Sequence, residues 1–575
     1  MSELVKYLYE FGPFQLDPHE RLLLRDAGAV PLPPKVFDAL LLFVSRSGQV
    51  LSKDELLSRL WPDTIVEESN LTQSVYALRK ALGDRPDGRP YIETLPRRGY
   101  RFVAEVRESA RREPSAPVRS LAVLPFRSLG AEQHVYLRLG VANAIITKLS
   151  RLQEISVRPT SAILKYVDRE LDLAAIGREL GVDALLDGAF EWADDQLRVT
   201  VQIVRSNGGT PLLAEQFDEQ FTNIFALEDS ISERVTCALR LRLSSEEKKQ
   251  ITKRYTENVE AYQAYLRGRY FWDKRTEDGM KKAISYFEQA IALDPDYALA
   301  LSGLADAYFL LGAYRALPPN ECFPQSRRAA ERALELDDTL AEAQCTLAYV
   351  KACYDWDWQA AERGFKRALA INPNYAIGHI WYSDYLSAVG RFEEALAEVR
   401  RALELDPLSL INNLNLALPH YFARQYDRAI EQLLKALELD PYSALGHWSL
   451  GQAYRQSGRY EEAIGELRKA IQLSGQSPLA LAALGHTYAV SGRMKEALKI
   501  IAELQALARQ RYVSPYEIAT VFAGLGEQDR AFDWLDCACR ERAGRLFFLR
   551  VDPYWDGLRL DPRFAALLQC IGLTL

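Results

Sequence analysis

Cysteine, histidine and long apolar runs are scarce in this 575-residue chain, and each shortage excludes a class of protein. The seven cysteines are scattered without a CxxC pair, and Cys537 and Cys539 have no histidine cluster beside them. We therefore predict no metal centre and no redox motif. No apolar run approaches the ~18 residues that a membrane-spanning helix needs, and the N-terminus shows no charged-then-apolar signal. A cytoplasmic protein without a membrane partner is expected.

Excess positive charge is also missing, because the chain carries a formal net charge of −7. This balance excludes a general, diffuse attraction to nucleic acid. The basic residues are concentrated locally instead: the stretch from Arg79 to Arg107 contains 8 basic and 4 acidic side chains. Any DNA binding must therefore be local and directed. The length predicts several domains, and a composition of 48% apolar and 26% charged residues is that of a globular protein.

A helical pattern begins this basic stretch. On a helical wheel Leu71, Val75, Leu78 and Leu82 fall within one stripe, which must be buried. The residues on the opposite face are polar, planar, small and cationic, a set that suits a helix lying in a major groove; they are Gln73, Tyr76, Ala77 and Lys80. Gly83 ends the helix.

Two short strands follow this helix, Tyr91 to Leu95 and Tyr100 to Ala104, with Arg97 and Arg98 at the turn between them. Two helices are predicted before it: one opens at Pro33 and Pro34, and the other opens at the capping box from Ser52 to Glu55. Three helices followed by an arginine-tipped hairpin predict a winged helix-turn-helix.

Residues 9–106 resemble the OmpR/PhoB-type DNA-binding domain, through the run Leu78-Arg79-Lys80-Ala81-Leu82 and the hairpin from Thr94 to Phe102. The resemblance implies an α+β winged helix with an N-terminal antiparallel sheet. It makes Glu68 to Leu82 the recognition helix and Trp61 to Val66 the loop before it, and it matches Arg98 to a wing position that reaches the minor groove. The predicted DNA contacts are Gln73, Tyr76, Ala77, Arg79, Lys80, Arg97, Arg98 and Tyr100.

Several of these residues have a second interpretation. Arg79 lies at the flank of the wheel, where it can hold a base, a phosphate or a carboxylate of its own domain. Tyr76 can pack on a deoxyribose or simply cover the helix. Arg97 and Arg98 alone would be an ordinary solvated turn. The whole domain could also serve protein contact rather than DNA binding.

Residues 107–118 are polar and proline-broken, which predicts a linker, and residues 119–245 alternate strand and helix patterns. This α/β segment resembles the TolB-like N-terminal domain of bacterial adenylate cyclases and regulators, through the Ala-Val-Leu-Pro-Phe run at 122–126, Ile176 to Val182, and Phe225 to Asp229. It contains no glycine-rich phosphate loop, no His/Cys cluster and no nucleophile elbow. Asp194 and Asp195 fit a hairpin turn better than a catalytic acid pair. We predict no enzyme and no cofactor.

The second half of the chain repeats itself. Aligned loop positions at Pro295, Asp338, Pro373, Pro407, Pro441, Pro478 and Pro515 are spaced by 43, 35, 34, 34, 37 and 37 residues. Thirty-four is the tetratricopeptide (TPR) period. Residues 258–540 therefore resemble an array of seven or eight TPR units, an all-α superhelix whose groove binds proteins or peptides. Residues 541–575 are predicted to be capping helices.

Two sets of side chains in the array have structural and functional interpretations. Most of its many tyrosines and tryptophans are predicted to be core, with a few as groove anchors. The four histidines His379, His420, His447 and His486 occur near the first helix of their repeats, and we predict structural roles for them.

The sequence thus predicts a bacterial transcriptional regulator of three parts: a winged helix-turn-helix, a small α/β domain and a TPR superhelix. Its winged helix would read double-stranded promoter DNA, and the other two parts would sense or recruit a partner on the TPR groove. RNA polymerase is a further candidate partner, and a homodimer on tandem half-sites is expected. The effector domain is of the response-regulator type, yet no receiver domain precedes it, so we do not expect phosphorelay control. A TPR scaffold whose winged helix binds protein is the alternative.

Overall fold

The computed structural model describes residues 7–19, 21–25, 28–62, 66–110, 117–128, 135–167, 172–193, 196–207, 209–220, 224–239, 241 and 243–574. The chain divides into two compact units, Met1–Lys253 and Arg254–Leu575. None of the helices within the described ranges has the length and apolar composition needed to span a lipid bilayer.

The N-terminal domain of the first unit is built from eight described strands and three described helices. In chain order they are β1 (Tyr7–Phe11), β2 (Phe14–Asp17), β3 (Leu22–Arg25), β4 (Gly28–Ala29), α1 (Pro34–Ser45), β5 (Val50–Leu51), α2 (Lys53–Leu60), α3 (Glu68–Leu82), β6 (Ile92–Leu95), β7 (Gly99–Phe102) and β8 (Arg107–Ala110). The helix α3 has the predicted bounds, and β5, β7 and β6 form the small sheet of the wing.

The N-terminal antiparallel sheet contains a strand that the sequence did not predict. Arg107–Ala110, assigned to the linker from its composition, pairs with β1, with Glu108 opposite Tyr9. The described strands of this sheet lie in the order β4-β3-β2-β1-β8. Because β8 satisfies backbone groups on one side of β1, it protects an edge that would otherwise be open. The linker residues 111–116 lie outside the described residues.

The helices close over a single core. The predicted stripe of α3 is buried, with Leu71, Val75, Leu78 and Leu82 no more than 2% exposed. The helix α2 begins as predicted, because Ser52 Oγ accepts from the Glu55 backbone N–H at 3.1 Å. The Glu55 carboxylate pairs with Arg46 at 2.6 Å, and in this described region it accepts no hydrogen bond from the Ser52 backbone N–H. The predicted capping box is therefore half formed.

The second domain alternates strands and helices as predicted. Its elements are β9 (Ser120–Val123), β10 (Arg127–Ser128), α4 (Val135–Leu149), β11 (Ser156–Val157), α5 (Thr160–Ile163), a 3-10 turn (Leu164–Tyr166), α6 (Leu173–Leu180), β12 (Ala184–Ala193), β13 (Gln196–Arg205), β14 (Pro211–Gln220), α7 (Ile224–Ala238) and α8 (Ser245–Ile251). The described strands run β11-β9-β12-β13-β14, and β10 also pairs with β12. Asp194 and Asp195 lie outside the described residues.

The first two domains contact each other within the first unit. Leu32 forms a parallel backbone bridge with Glu215 of β14. Glu215 is 3% exposed and pairs with Arg234 at 3.3 Å, and its burial raises the pKa of its carboxyl group. The two domains therefore share a packed interface.

The second unit is a helical array, as predicted. Within residues 254–574, all of which are described, sixteen α-helices form eight consecutive hairpins. They are α9/α10 (Val259–Asp273, Glu277–Leu293), α11/α12 (Ala298–Ala313, Pro319–Leu336), α13/α14 (Ala341–Val350, Trp358–Ile371), α15/α16 (Ala376–Ala388, Phe392–Leu405), α17/α18 (Leu410–Phe422, Tyr426–Leu439), α19/α20 (Ala444–Gln456, Tyr460–Ser474), α21/α22 (Pro478–Val490, Met494–Leu507) and α23/α24 (Pro515–Gly524, Gln528–Arg540). A π-helical turn, Lys351–Asp355, extends α13.

Histidines and aromatic residues of the array are largely structural, as predicted. His379 and His447, 68 residues apart, make equivalent contacts: each ring bonds a glutamate of the next helix and the carbonyl of the proline six residues before it. Trp381 and Tyr385 are 9% and 3% exposed. These side chains hold neighbouring helices together.

The segment after α24, here called the tail (541–574), differs from the predicted pair of capping helices. It contains two 3-10 turns, Gly544–Phe548 and Pro553–Leu558, and one helix, α25 (Pro562–Cys570). The tail runs back along the array rather than across its end: Phe547 stacks on Trp358 with ring centroids 5.3 Å apart, and Phe548 stacks on Phe422 at 4.9 Å.

Polar contacts fix the tail along several hairpins. The Trp555 indole N–H donates to the Tyr516 hydroxyl at 2.8 Å, and that hydroxyl donates to Asp552 at 3.0 Å. Arg424 donates to the Val551 carbonyl at 2.7 Å. These array residues lie on, or directly after, first helices of hairpins, so the tail occupies part of the surface that these helices form.

Candidate nucleic-acid interface

The outward face of α3 carries three of the predicted contacts in the open. Gln73, Tyr76 and Lys80 are exposed, and 71% of Tyr76 is accessible although its side chain is large and partly apolar. This exposed ring lies between a glutamine and a lysine. The face therefore favours a ligand that offers a surface on which the ring can pack and phosphates that the lysine can hold.

One exposed residue on this face was missed by the sequence reasoning. Ser69 lies two turns before Tyr76 and on the same side of the helix, and it is exposed. The buried stripe begins at Leu71, so a wheel built on that stripe omits the first turn of α3. Extending the same wheel backward would have included Ser69.

Two predicted contacts on α3 have less access to solvent. Ala77 is half-buried and packs against the domain core. Arg79 is also half-buried, and its guanidinium faces the wing: Nε and Nη2 donate to the Ile92 carbonyl at 3.1 and 2.7 Å, and Nη2 donates to Thr94 Oγ1 at 2.8 Å. Arg79 therefore ties the first wing strand to α3, a role that none of its three sequence interpretations included.

Tyr100 is a core residue in this structure. It is 5% exposed, and its ring meets Phe43 edge-on with centroids 6.4 Å apart. The alternation of β7 explains its burial: Tyr100 and Phe102 point inward, and Arg101 between them pairs with Glu93 across the strands at 2.8 Å. The sequence placed Tyr100 beside the arginines, but the strand turns it away from them.

The wing tip presents two exposed arginines on a tight turn. The Arg98 N–H donates to the Leu95 carbonyl at 2.9 Å, and Arg97 adopts the left-handed conformation with φ of 63°. That conformation costs an L-residue roughly 1–2 kcal/mol. Pro96 before it stabilises the turn by fixing its own φ.

Gly99 allows the second wing strand to approach β5. Its φ is 121°, and a Cβ at this position would lie 2.0 Å from the Leu51 carbonyl oxygen. Only glycine fits here without displacing the backbone of β5. The wing is therefore held on one side by β5 and on the other by Arg79.

The charges of the interface divide into paired and open groups. Lys53 pairs with Glu68 at 2.7 Å, and this carboxylate raises the pKa of Lys53. Among the residues that the structure describes, Lys80, Arg97 and Arg98 form no ion pair. These three cations are thus available to phosphate, because no carboxylate of their own domain competes for them.

Comparison with known proteins agrees with this geometry. Residues 27–102 match the family model described as "Transcriptional regulatory protein, C terminal". The N-terminal domain is an OmpR/PhoB-type winged helix. Residues 117–234 match the second domain of HilA/YgeH-like transcriptional regulators, and residues 281–316, 414–478 and 454–514 match tetratricopeptide repeat models.

Similar proteins extend this picture beyond the winged helix. The chain is 27% identical to the transcriptional regulator HilA of Salmonella typhimurium over 391 residues, which cover 67% of this chain and 68% of HilA. The transcriptional activator CadC of Escherichia coli is 38% identical over 96 residues, 16% of this chain and 19% of CadC. A Rhizobium meliloti protein named "Putative adenylate cyclase 3" is 29% identical over 240 residues, 41% of this chain and 40% of that protein.

Proposed function

We propose that this chain is a sequence-specific DNA-binding transcriptional regulator. One observation carries the proposal: the exposed row Gln73, Tyr76 and Lys80 on α3 and the open cations Arg97 and Arg98 on the wing belong to two elements that Arg79 joins. A helix and a hairpin fixed to each other in this way suit a duplex, with the helix in the major groove and the wing tip at the neighbouring minor groove.

Each exposed side chain has a role in this proposal. Gln73 reads a base edge, since a glutamine amide can pair with adenine through two hydrogen bonds. Tyr76 packs on the sugar-phosphate backbone, and Lys80 and Arg97 hold phosphates. Arg98 enters the minor groove. Ala77 leaves a small apolar surface that fits the methyl group of thymine.

The rest of the chain supplies a partner surface in this proposal. TPR arrays bind proteins or peptides, and the tail covers part of the surface that the first helices form. A partner peptide therefore has to displace the tail or bind hairpins that the tail leaves open. RNA polymerase is a candidate partner, and two copies of the chain on tandem half-sites would add the contacts that one winged helix lacks. We expect the protein to act in the bacterial cytoplasm, where its DNA lies.

A catalytic role is not proposed for the second domain. Incubation of the full chain with ATP should yield no cyclic AMP above that of a heat-inactivated sample. Turnover above that level would contradict this part of the proposal.

The test is selection of DNA from a fragmented source genome by the full chain. A Lys80→Ala/Arg98→Ala double variant removes two open cations of the interface. A Lys281→Ala/Lys282→Ala variant is the matched control, because it removes the same charge from the exposed side chains of α10. Selected fragments are then titrated at several salt concentrations.

We expect the wild type and the control to enrich a shared motif that the double variant does not enrich. The dependence of log affinity on log salt should fall by about one unit for each phosphate that the variant no longer neutralises. Enrichment of the same motif by all three proteins would contradict the roles given to Lys80 and Arg98. Absence of enrichment for all three and for residues 1–110 alone would contradict DNA reading and favour the scaffold alternative.

A further inference from the structure

A cavity of about 440 Å³ lies between the tail and the last three hairpins of the array. Its lining includes Arg455, Tyr460, His486, Gln528 and the tail residue Tyr554. Cavities of this size hold small organic ligands. One wall belongs to the tail, through Pro553 to Leu558, so a molecule bound here would touch both the array and the tail.

The lining of the cavity includes the buried guanidinium of Arg455, which has no carboxylate partner within residues 254–574. Arg455 is 3% exposed, and its guanidinium reaches His486 Nδ1 at 3.1 Å, the Tyr421 hydroxyl at 3.2 Å and the face of the Tyr554 ring at 3.8 Å. The Nε of Arg455 donates to no acceptor. Among residues 254–574, all of which are described, no carboxylate oxygen lies within 4 Å of a nitrogen of this guanidinium. All three neighbours of the guanidinium are neutral groups.

The nearby carboxylate is engaged elsewhere. Asp552 pairs with Arg545 at 3.3 Å, and it also accepts from the Tyr516 hydroxyl and from the Tyr554 backbone N–H. Arg545 of the tail thus has a counter-ion in Asp552, whereas Arg455 of the array forms no ion pair within residues 254–574.

His486 adds no charge of its own. Burial, and then the positive charge of Arg455, hold the pKa of His486 well below its usual range. The neutral ring accepts a hydrogen bond from Arg455 through Nδ1. The lining therefore has one net positive charge, which belongs to Arg455.

A buried guanidinium without a counter-ion is unfavourable, because its charge has lost the stabilising contact with water and has gained no opposite charge in exchange. An anion in the cavity would supply that counter-ion, and the planar donor fork of arginine matches carboxylate and phosphate groups. We propose that this cavity is a binding site for a small organic anion, carrying a carboxylate or a phosphate group, with Arg455 as its counter-ion. The role of this anion as a signal that controls a regulator rests on the proposed function. Binding of the anion to the cavity does not depend on that function.

The full chain is tested by calorimetric titration and thermal unfolding with inorganic phosphate, citrate, succinate and glucose 6-phosphate, and with glucose as the neutral comparison. We expect saturable binding of at least one anion, a rise in unfolding temperature on its addition, and no effect of glucose. The separate titrations distinguish a carboxylate ligand from a phosphate ligand.

Arg455→Met should lose this binding by more than tenfold. It should still fold, because an apolar side chain of similar size often replaces a buried charge without loss of stability. Arg401→Met is the matched control, since Arg401 lies on α16 and pairs with Glu404 at 2.8 Å; it should bind as the wild type does. Val490→Phe at the rim of the cavity, where Val490 is 38% exposed, narrows the entrance and provides a second loss variant.

Absence of binding for all these anions at millimolar concentration would overturn the proposal, as would unchanged binding by both Arg455→Met and Val490→Phe. Arg455 would then serve only to hold the tail. The titrations contain no DNA, so failure of the anion site and failure of DNA reading give separate results.

Discussion

Arg79 and Lys80 are neighbours on α3 that lose the same charge when replaced by methionine, yet the structure assigns them different roles. Arg79 donates three hydrogen bonds to β6, whereas Lys80 is open to solvent. Arg79→Met should therefore loosen the wing, and Lys80→Met should weaken the hold on a phosphate without changing the wing.

The magnitude follows from the hydrogen bonds. A bond from a charged donor contributes about 1.5–3 kcal/mol when buried, and the half-buried position of Arg79 reduces this. Loss of all three should destabilise the wing by on the order of 2 kcal/mol, which raises the equilibrium population of the open wing about 30-fold. Hydrogen exchange of the backbone amides between Tyr91 and Phe102, followed in the full chain by mass spectrometry, measures this directly.

DNA titrations complete the comparison. Arg79→Met should lower affinity while the slope of log affinity against log salt stays the same, because the cations that hold phosphates are all still present. Lys80→Met should reduce that slope by about one unit and leave wing exchange unchanged. Equal slope changes in the two variants, with wild-type wing exchange in Arg79→Met, would refute the role given to Arg79.

Two further predictions concern glycine and acid chemistry. Gly99→Ala should destabilise the wing by on the order of 3 kcal/mol, because its Cβ would meet the Leu51 carbonyl oxygen at 2.0 Å, and amide exchange of β5 and β7 should rise. Asp306→Asn should remove a pH dependence from the array. Burial raises the pKa of Asp306 to about 6. The folded chain therefore keeps a proton that the unfolded chain releases near pH 4, so stability falls as the pH rises from about 4 to about 6. Above that range the free energy of unfolding has fallen by about 3 kcal/mol. Asp306→Asn should not show this fall when its free energy of unfolding, measured with denaturant, is compared at the two ends of the range.

Each of these predictions has a control. Gly88→Ala changes another glycine of positive φ with nothing within 4 Å of its Cβ, so equal effects at Gly88 and Gly99 would contradict the close approach to β5. Parallel pH profiles for the wild type and Asp306→Asn would show that Asp306 titrates normally. The Thr346 hydroxyl donates to Asp306 and can donate equally to the asparagine amide oxygen, so the substitution keeps that hydrogen bond.

Local periodicity in the sequence was sufficient to predict the helix and the hairpin of the candidate interface. The end of α3, its buried stripe and the arginine-tipped hairpin follow from residues only a few positions apart, and so does the repeat of the TPR array. The first residue of α3 was implied by the resemblance to OmpR/PhoB-type domains. Exposure of Gln73, Tyr76 and Lys80 also follows, since the face opposite a buried stripe must be open. Their contact with DNA stays a prediction.

What the sequence alone determined is therefore the type of each part: a winged helix, an α/β domain and a helical repeat array. Tertiary structure decided how side chains distant in sequence are used. It turned Arg79 toward Ile92, placed Tyr100 in the core, and laid the tail along the array to form a cavity around Arg455. The physical reason is that spacing along the chain encodes local periodicity, whereas these contacts depend on which surfaces meet after folding.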